Sequence, residues 1–304
     1  MPVTYASQTI DLDGYTHYLD LAGPQGVPPL VCVHGLGGSH ANWLAVAPGL
    51  AERQQVYVPD LAGHGLTFPD HRSTDVDSNQ RLLDRFLGEV AGVPVVLMGN
   101  SMGGMISILQ AARNPDTVAG LVLVDPAVPG PLQRPDPTVA RNFVGYALPG
   151  VSGALLARRR RRLTPEQQVQ EVLNVCCVDS TRVPADVVVQ LVALATRRQT
   201  VTGIDGAFLS AARSVLRHLV QREELQAAMR SIEVPVLLLQ GERDRLVSVN
   251  AARLAARNNP SWELHVAAGV GHVPQLEASQ WTTDRYREWI DSTGLLDPVG
   301  APGD

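Results

Sequence analysis

The sequence contains no lysine, because all 25 of its basic residues are arginines. An enzyme that uses a lysine nucleophile or a lysine Schiff base is therefore excluded. Cysteine is scarce as well: Cys32, Cys176 and Cys177 are the only three, and none stands in a CxxC or CxxH spacing. This pattern predicts neither a disulfide framework nor a metal site, and we expect Cys32 to be a small core residue.

Long apolar runs and a large net charge are absent too. No run approaches the length of a membrane span, and Met1–Asp11 has neither the basic nor the apolar segment of a signal peptide. The net charge of −5 does not indicate affinity for nucleic acid or for a membrane surface. We expect a cytoplasmic protein that acts on a small molecule, with no nucleic-acid partner and no integral membrane association; the sequence makes no prediction of oligomeric state.

What the sequence does contain is an alternation of short apolar runs with helical patterns. The runs are rich in valine and leucine and are bounded by Gly, Pro, Asp or His, which is typical of strands buried on both faces of a parallel sheet. The predicted strands are Pro29–Val33, Gln55–Pro59, Val93–Met98, Val118–Val124, Pro235–Leu239 and Trp262–Ala267, and the predicted helices are Ser78–Val90, Met102–Arg113, Asn250–Arg257 and Trp281–Ile290. The alternation predicts an α/β sheet with helices on both faces.

Two segments depart from this alternation. Val3–Ile10 and His17–Ala22 have no helix between them, which predicts an antiparallel hairpin around Asp13-Gly14. Residues 127–232 are Pro-rich at the start and then mostly helical, without a clear buried strand. We therefore expect a core domain of residues 1–126 and 233–304, frayed from Asp297 onward, and a helical insertion of residues 127–232.

The strongest chemical signal is Gly99-Asn100-Ser101-Met102-Gly103, which follows a predicted strand and precedes a predicted helix. Glycines on either side of the serine permit a sharp strand-to-helix turn that exposes the hydroxyl above the sheet. The Met102 N–H, at the start of the helix, can stabilise an oxyanion at the same point. The pattern predicts Ser101 as a nucleophile, the alternative being a packing turn with an idle serine.

A serine nucleophile needs a base, and His272 is the best placed of the eight histidines. It lies in the Gly-rich loop Ala268–Pro274, just after the last predicted strand. His34 also follows a strand but precedes Ser101, which is the wrong chain order for this arrangement. The remaining histidines are expected to be turn, surface or packing residues: His17, His40, His64, His71, His218 and His265.

The base in turn needs a carboxylate that orients it. Asp244 lies in the loop that follows the predicted strand Pro235–Leu239, five residues past its end, from which its side chain can reach His272. Asp125, which ends the preceding strand, is the alternative. Glu242 and Asp60 are expected to be surface or loop-bracing residues.

A second oxyanion donor is expected from the loop His34–Ser39, which follows the strand Pro29–Val33. Leu36 is the first choice for the backbone N–H, and Gly37 the second. The loop lacks both glycine patterns of nucleotide-binding loops, so a phosphate site is not predicted. The turn Pro59–Gly65 is assigned a structural role.

Together these motifs resemble the α/β-hydrolase superfamily: HGLGG at 34–38, PDLAGHG at 59–65, GNSMGG at 99–104, GERD at 241–244 and GVGH at 269–272. The resemblance implies a mostly parallel eight-stranded sheet with a helical cap in the 127–232 region. It also implies Ser101, Asp244 and His272 as a triad, Leu36 and Met102 as the oxyanion hole, and neither cofactor nor metal. A serine at position 101 excludes the related epoxide hydrolases and haloalkane dehalogenases, which have aspartate there.

Within the superfamily, the Asn before Ser101 resembles hydrolases that cleave carbon–carbon bonds in ring-fission products. Those enzymes typically have Gly-Pro-Gly in the first loop and Trp after the histidine, where this chain has Gly37-Gly38-Ser39 and Val273. An esterase, or a lipase for short acyl chains, fits better. The C–C hydrolase stays as the alternative, and a non-catalytic receptor of the same fold as a third hypothesis.

Residues beside the motifs and in the insertion are expected to meet the substrate. Gly35, Gly37, Asn100 and Val273 flank the expected site, and an apolar acyl pocket is predicted from Phe143, Tyr146, Leu148 and Phe208. The five arginines Arg158–Arg162 are predicted to form a solvated face or loop, with an anion-attracting lip as the alternative.

Overall fold

A computed structural model describes residues 6–131, 153, 157, 158, 160 and 162–297. Its centre is one eight-stranded sheet in the order β1-β2-β4-β3-β5-β6-β7-β8. The strands are β1 (Ala6–Asp11), β2 (Tyr15–Leu21), β3 (Leu30–Val33), β4 (Val56–Pro59), β5 (Val95–Asn100), β6 (Val118–Val124), β7 (Val236–Gly241) and β8 (Glu263–Ala267). From β4 to β8 all neighbours are parallel, whereas β2 pairs antiparallel with both β1 and β4. The predicted mostly parallel sheet is confirmed.

The antiparallel edge begins with the predicted hairpin. Its turn uses left-handed backbone at Asp13 (φ 57°) and Gly14 (φ 123°), and the Gly14 N–H donates to Asp11 Oδ1 over 2.9 Å. Asp and Gly tolerate this conformation better than other residues, which is why the sequence signal was readable.

The central strands are buried on both faces, as the sequence predicted. Side chains of β3 alternate between two cores: Val31 and Val33 lie in one, Leu30 and Cys32 in the other. The prediction of two buried faces is wrong for β8, where Glu263 is exposed and the next three residues are half-buried. β8 is the last strand of the sheet, so fewer neighbours cover it.

Helices cover both faces of the sheet. The helices are α1 (Ala47–Ala51), α2 (Val76–Phe86), α3 (Met102–Arg113), α4 (Pro165–Cys176), α5 (Ala185–Arg198), α6 (Ile204–Val220), α7 (Arg222–Arg230), α8 (Val249–Asn258), α9 (Pro274–Glu277) and α10 (Ser279–Thr293). One core contains apolar residues of α2, α3 and α8, and the other contains those of α1 and α10. No helix among the described residues is long and apolar enough to cross a membrane.

Helices α4 to α7 form a segment between β6 and β7, where the sequence predicts the insertion. Val169 and Leu173 of α4 share an apolar cluster with Val273 and Leu276, which belong to the loop and short helix after β8. The helical segment therefore packs beside the carboxyl end of the sheet, where loops from the parallel strands meet.

Candidate active site

Ser101 occupies the turn between β5 and α3. Its backbone has φ 54° and ψ −115°, a conformation that is costly for a residue with a side chain. Two hydrogen bonds hold it there: the Ser101 N–H donates to Val124 O over 3.1 Å, and the Ala127 N–H donates to Ser101 O over 3.0 Å. Both partners belong to β6 or the loop after it, so the neighbouring strand fixes the strained turn.

The glycines around Ser101 are required by close backbone approaches. A Cβ on Gly103 would lie 2.2 Å from Val33 O, and one on Gly99 would lie 2.5 Å from Gly103 O. Any larger residue at either position would push the turn away from β3 or open it.

The loop after β3 lies directly beside Ser101. A Cβ on Gly35 would stand 3.0 Å from Ser101 Cβ. The Gly38 N–H donates to Gly35 O over 3.0 Å, which closes a tight turn with Leu36 and Gly37 at its centre, and Gly37 has φ 73°. Leu36 is thus close to Ser101, and Met102, as the first residue of α3, has no intrahelical acceptor for its N–H.

His272 and Asp244 form a buried pair on the other side. His272 Nδ1 and Asp244 Oδ2 are 2.7 Å apart, and the two side chains are 6% and 0% exposed. Asp244 Oδ1 accepts hydrogen bonds from the N–H groups of Leu246 (2.7 Å) and Val247 (3.0 Å). Burial by itself raises the pKa of Asp244, but the charge and hydrogen bond of His272 outweigh burial and hold that pKa below its usual value.

Asp125 does not take the position next to His272. It lies fully buried behind Asp244, and its Oδ1 accepts hydrogen bonds from Gln240 Nε2 (2.6 Å) and the Gly241 N–H (2.9 Å). Of the two carboxylates weighed from the sequence, Asp244 is the one hydrogen-bonded to the histidine ring.

Asn100 connects the serine turn to the histidine loop. Its Nδ2 donates to Val124 O over 3.0 Å and to His272 O over 3.1 Å. This amide is therefore engaged with backbone, and these contacts give no support to a role in binding substrate. Among the described residues the Ser101 hydroxyl has no hydrogen bond to His272, a link that is often long without substrate.

The C-terminal end of α4 is hydrogen-bonded to the histidine loop, and the sequence analysis did not predict these contacts. The His272 N–H donates to Cys176 O over 2.6 Å. The buried Glu277 carboxylate accepts from the N–H groups of Gly271 (2.8 Å), Val178 (3.0 Å) and Asp179 (2.8 Å). We call Glu277 and its three donors the Glu277 clamp. The only sign of the clamp in the sequence is a glutamate five residues after His272. No local sequence pattern indicates which N–H groups bind this glutamate.

Arg245 makes a similar link from the loop that carries Asp244. Its guanidinium donates to the carbonyl oxygens of Asn174, Val175 (3.1 Å) and Cys177 (3.3 Å), at the C-terminal end of α4. A cation is well placed there because the last carbonyls of a helix have no intrahelical partner. The helical segment thus contacts both loops of the His272–Asp244 pair.

Residues 28–279 match the family model described as alpha/beta hydrolase fold. The chain belongs to the α/β-hydrolase family.

Individual relatives are distant and carry different names. The chain is 29% identical over 260 residues to a dihydrolipoyllysine-residue acetyltransferase component of an acetoin cleaving system from Pseudomonas putida, which covers 85% of this chain but only 62% of that protein. It is 26% identical over 264 residues to Lipase 1 of Psychrobacter immobilis, covering 85% and 75%. The crystal structure of a bacterial membrane phospholipase A is 26% identical with a TM-score of 0.74, covering 95% of this chain and 86% of that one.

The helical segment also contacts the loop after β3. A Cβ on the exposed Gly37 would stand 3.1 Å from Cε2 of Phe208, on α6. Phe208 therefore lies against the proposed oxyanion loop, whereas the other expected pocket residues, Phe143, Tyr146 and Leu148, lie outside the described residues. Val273, another expected substrate contact, is 4% exposed within the apolar cluster of α4.

The arginine run is described only in part. Arg158 and Arg162 are exposed, as expected for a solvated face. For Arg160 this prediction is wrong: its guanidinium forms a 3.0 Å ion pair with Asp205 and also reaches the carbonyl oxygens of Arg198 and Gln199. Arg160 is thereby attached to α5 and α6 instead of standing free in solvent.

His34 and His64 support the loops from inside. His34 Nδ1 lies 2.8 Å from Gly35 O, and its Nε2 accepts the Leu61 N–H over 3.1 Å, which fixes a neutral ring with the proton on Nδ1. Burial lowers the pKa of His34 to about 4 and that of His64 to about 3. Both rings therefore serve as uncharged braces, in agreement with the packing role expected for His64.

A second serine, histidine and aspartate lie together at the antiparallel edge of the sheet. Ser7 Oγ is 2.8 Å from His17 Nε2, and His17 Nδ1 is 2.8 Å from Asp60 Oδ2. We call these three residues the edge triad. Asp60 is completely buried and also accepts from His40 Nδ1 (2.8 Å), the His40 N–H (2.7 Å) and the Leu66 N–H (2.8 Å), so it is a loop brace and not a surface residue.

Two groups of described residues bring three possible metal ligands within 4.8 Å of one another: His17, His40 and Asp60, and Asp125, Asp244 and His272. In both groups the histidine nitrogens hydrogen-bond directly to a carboxylate, at 2.7–2.8 Å. These contacts use the same atoms that a metal would need, so direct hydrogen bonding accounts for both groups.

Proposed function

We propose that this protein is a serine hydrolase that cleaves carboxylic esters of short to medium acyl chains through an acyl-enzyme. The observation that carries the proposal is the strained Ser101 turn, which lies against Gly35 of the loop after β3 and is joined through Asn100 to the backbone of His272, the partner of the buried Asp244. A nucleophile, a base with its orienting carboxylate, and backbone donors for an oxyanion are the parts that acyl transfer requires.

In the proposed reaction, Asp244 holds the proton on His272 Nδ1, which leaves Nε2 free to accept the Ser101 proton. Ser101 Oγ attacks the ester carbonyl, and the N–H groups of Leu36 and Met102 stabilise the oxyanion. His272 then gives its proton to the departing alcohol. Water, deprotonated by the same nitrogen, attacks the acyl-enzyme, and the acid is released with Ser101 reprotonated.

The choice of an ester as substrate is supported by the lipase names among the relatives. The acetyltransferase component from Pseudomonas putida transfers an acyl group by its name, but the chain spans only 62% of its length. An acyl-enzyme fits both names. We also propose that residues 127–232 act as a cap, with Phe208 at the wall of the acyl site and Gly35 and Gly37 along its floor.

The test pairs Ser101→Ala with Ser7→Ala, which removes the serine of the edge triad. We expect Ser101→Ala to lower kcat on p-nitrophenyl esters by about 10⁶-fold and to abolish labelling by a fluorophosphonate. Ser7→Ala should leave both unchanged. Rates on an ester series from acetate to octanoate would define the acyl chain length.

Undiminished labelling of the Ser101→Ala protein would reject the nucleophile. If kcat/KM were instead higher for a vinylogous 1,5-diketone acid than for any ester, the bond cleaved would be C–C and the ester proposal would be wrong.

A further inference from the structure

Asp125 is a fully buried carboxyl group that forms no ion pair with the residues the structure describes. It follows β6 directly, has φ 44°, and its N–H donates to Leu239 O over 2.8 Å. Its Oδ1 accepts the two hydrogen bonds already described, from Gln240 and Gly241. Its Oδ2 is inaccessible to solvent and has no partner among the residues that the structure describes.

A second carboxylate lies close to that of Asp125. A carboxyl oxygen of Asp125 is within 4.8 Å of one of Asp244, and Gln240 Nε2 contacts both groups, at 2.6 Å from Asp125 Oδ1 and 3.2 Å from Asp244 Oδ2. The ionisable groups that face Asp125 are Asp244, His272, Glu277 and the Cys176 thiol. Only His272 can carry a positive charge, and it is hydrogen-bonded to Asp244.

Gln240 cannot compensate two negative charges. Its Nε2 has four acceptors around it, namely Asp125 Oδ1 (2.6 Å), Val247 O (3.1 Å), Asp244 Oδ2 (3.2 Å) and Gly241 O (3.4 Å). This surrounding identifies the atom as nitrogen, since an amide oxygen there would meet only acceptors. An amide nitrogen has two hydrogens, so two ionised carboxylates would be left short of donors.

We propose that Asp125 is kept as a neutral carboxylic acid that donates its proton to the Asp244 carboxylate and positions Asp244 against His272. Asp244 receives Leu246, Val247 and His272, and it shares the two Gln240 hydrogens with three other acceptors, so the carboxyl proton of Asp125 supplies a donor that Gln240 alone does not. Asp125 is thus a positioning residue, and its meaning for catalysis rests on the function proposed above.

The electrostatics of the pair agree with this assignment. Burial first, and then the nearby Asp244 charge, raise the pKa of Asp125 well above its usual value, while the pKa of Asp244 is lowered. Opposite displacement is expected when two adjacent carboxyl groups share one proton.

The first test detects the proton and needs no substrate. In infrared spectra of protein labelled with [4-¹³C]aspartate, a protonated carboxyl gives a C=O stretch separate from the carboxylate bands. We expect one such aspartate band at pH 7, which Asp125→Asn removes and Ser101→Ala leaves in place. A wild-type spectrum with no protonated aspartate at pH 7 would overturn the proposal, even if no variant at position 125 folds.

The second test separates positioning from bulk. Asn keeps a donor at the place of the carboxyl proton, whereas Leu has similar volume and none. We expect kcat to fall by about 10- to 100-fold for Asp125→Leu, with KM unaltered, and to fall clearly less for Asp125→Asn. Equal losses in the two variants would contradict the role of the donor.

The pH dependence gives a readout that simple packing would not change. Because the folded pKa of Asp125 is raised, its stabilising contribution is complete below the unfolded pKa and is lost as pH rises through the folded value. The unfolding free energy of Asp125→Asn should therefore fall less than that of wild type between pH 5 and pH 9.

If the infrared band is present but Ser101→Ala remains active, the proposed function fails while the proton assignment stands.

Discussion

The described residues contain two sets of serine, histidine and aspartate. The two sets have the same residue types but differ in their hydrogen bonds and in the backbone conformation of the serine. In the edge triad, hydrogen bonds run unbroken from Ser7 through His17 to Asp60. In the Ser101 set, the described hydrogen bonds join His272 to Asp244 and do not extend to Ser101. Judged by hydrogen bonds alone, the edge triad is the more complete.

The backbone reverses that judgement. Ser7 lies on β1 in regular extended pairing with β2, whereas Ser101 is held in a left-handed turn at the start of a helix. Successive N–H groups of an extended strand point in opposite directions, so the backbone of β1 does not aim two neighbouring donors at one point beside Ser7. The comparison favours Ser101 over Ser7 as the proposed nucleophile, because donors for an oxyanion are needed as much as a histidine.

The aspartates differ in the same way. Asp60 spreads its hydrogen bonds over two histidines and the loop that follows β4, so its carboxylate fixes loops. Burial by itself raises its pKa, but the bonds from His17 and His40 outweigh burial and hold the pKa far below normal. Asp244 directs one oxygen to one histidine and the other to its own loop.

The largest expected effect comes from exchanging each aspartate for asparagine. Asp244→Asn should lower kcat by about 10⁴-fold, because asparagine leaves His272 in the wrong tautomer for accepting the serine proton. Asp60→Asn should leave kcat of the folded enzyme near wild type but lower the free energy of unfolding by about 3 kcal/mol, since one acceptor oxygen is lost. Ester kinetics and urea unfolding measure the two; loss of kcat in a fully folded Asp60→Asn enzyme would remove the distinction.

A smaller effect is expected from loosening the Glu277 clamp, which has no counterpart at the edge triad. Glu277→Gln replaces an acceptor oxygen by an amide that opposes the N–H groups of Gly271, Val178 or Asp179. We expect kcat to fall by about 10- to 100-fold through displacement of His272.

The matched control for this variant is Glu242→Gln. Glu242 accepts one hydrogen bond, from the Gly269 N–H over 3.0 Å, in the same loop but at the surface. Its kcat should be unchanged. Equal kinetics for the two variants would mean that the contact with α4 does not position His272.

The smallest effect concerns acid stability near the edge triad. Because folding lowers the pKa of His34 to about 4, the unfolded chain takes up protons first as pH falls from about 6.5. Stability is therefore lost across that window. His34→Gln should make the unfolding free energy fall less steeply between pH 6.5 and pH 4, whereas replacing the exposed His71 by Gln should not. Parallel pH profiles for wild type and His34→Gln would show that His34 does not titrate as inferred.

Much of the fold could be predicted from the sequence, because the patterns that indicate its turns and strands are local. The hairpin at Asp13-Gly14 needs a turn that two residues can specify. The central strands are recognisable in the sequence as continuous apolar runs. Strand ends were less certain: β5 continues through Gly99 and Asn100 to the serine, beyond the predicted end at Met98. Glycine disfavours strands in general, and the ladder to β6 overrides that preference here.

The contacts that the helical segment makes could not be predicted from the sequence. Cys176, Val178 and Asp179 contact the histidine loop through backbone groups, which every residue has. Arg160, within a run of five arginines, forms an ion pair that its neighbours do not mark. Contacts of this kind join residues that are far apart in the sequence. A local sequence pattern does not show which distant residues will be close in space.

The sequence by itself determined Ser101 and its turn, because the strained backbone requires glycines within two residues of the serine. It also narrowed the orienting carboxylate to Asp125 or Asp244. Only the tertiary structure decided how those two are arranged: β6 and β7 are neighbours in the sheet, so both carboxyl groups end beside one histidine. Asp244 is hydrogen-bonded to the ring, whereas Asp125 is hydrogen-bonded to Gln240 and the Gly241 N–H, because the loop after β7 carries Asp244 to His272 while Asp125 ends its own strand against β7.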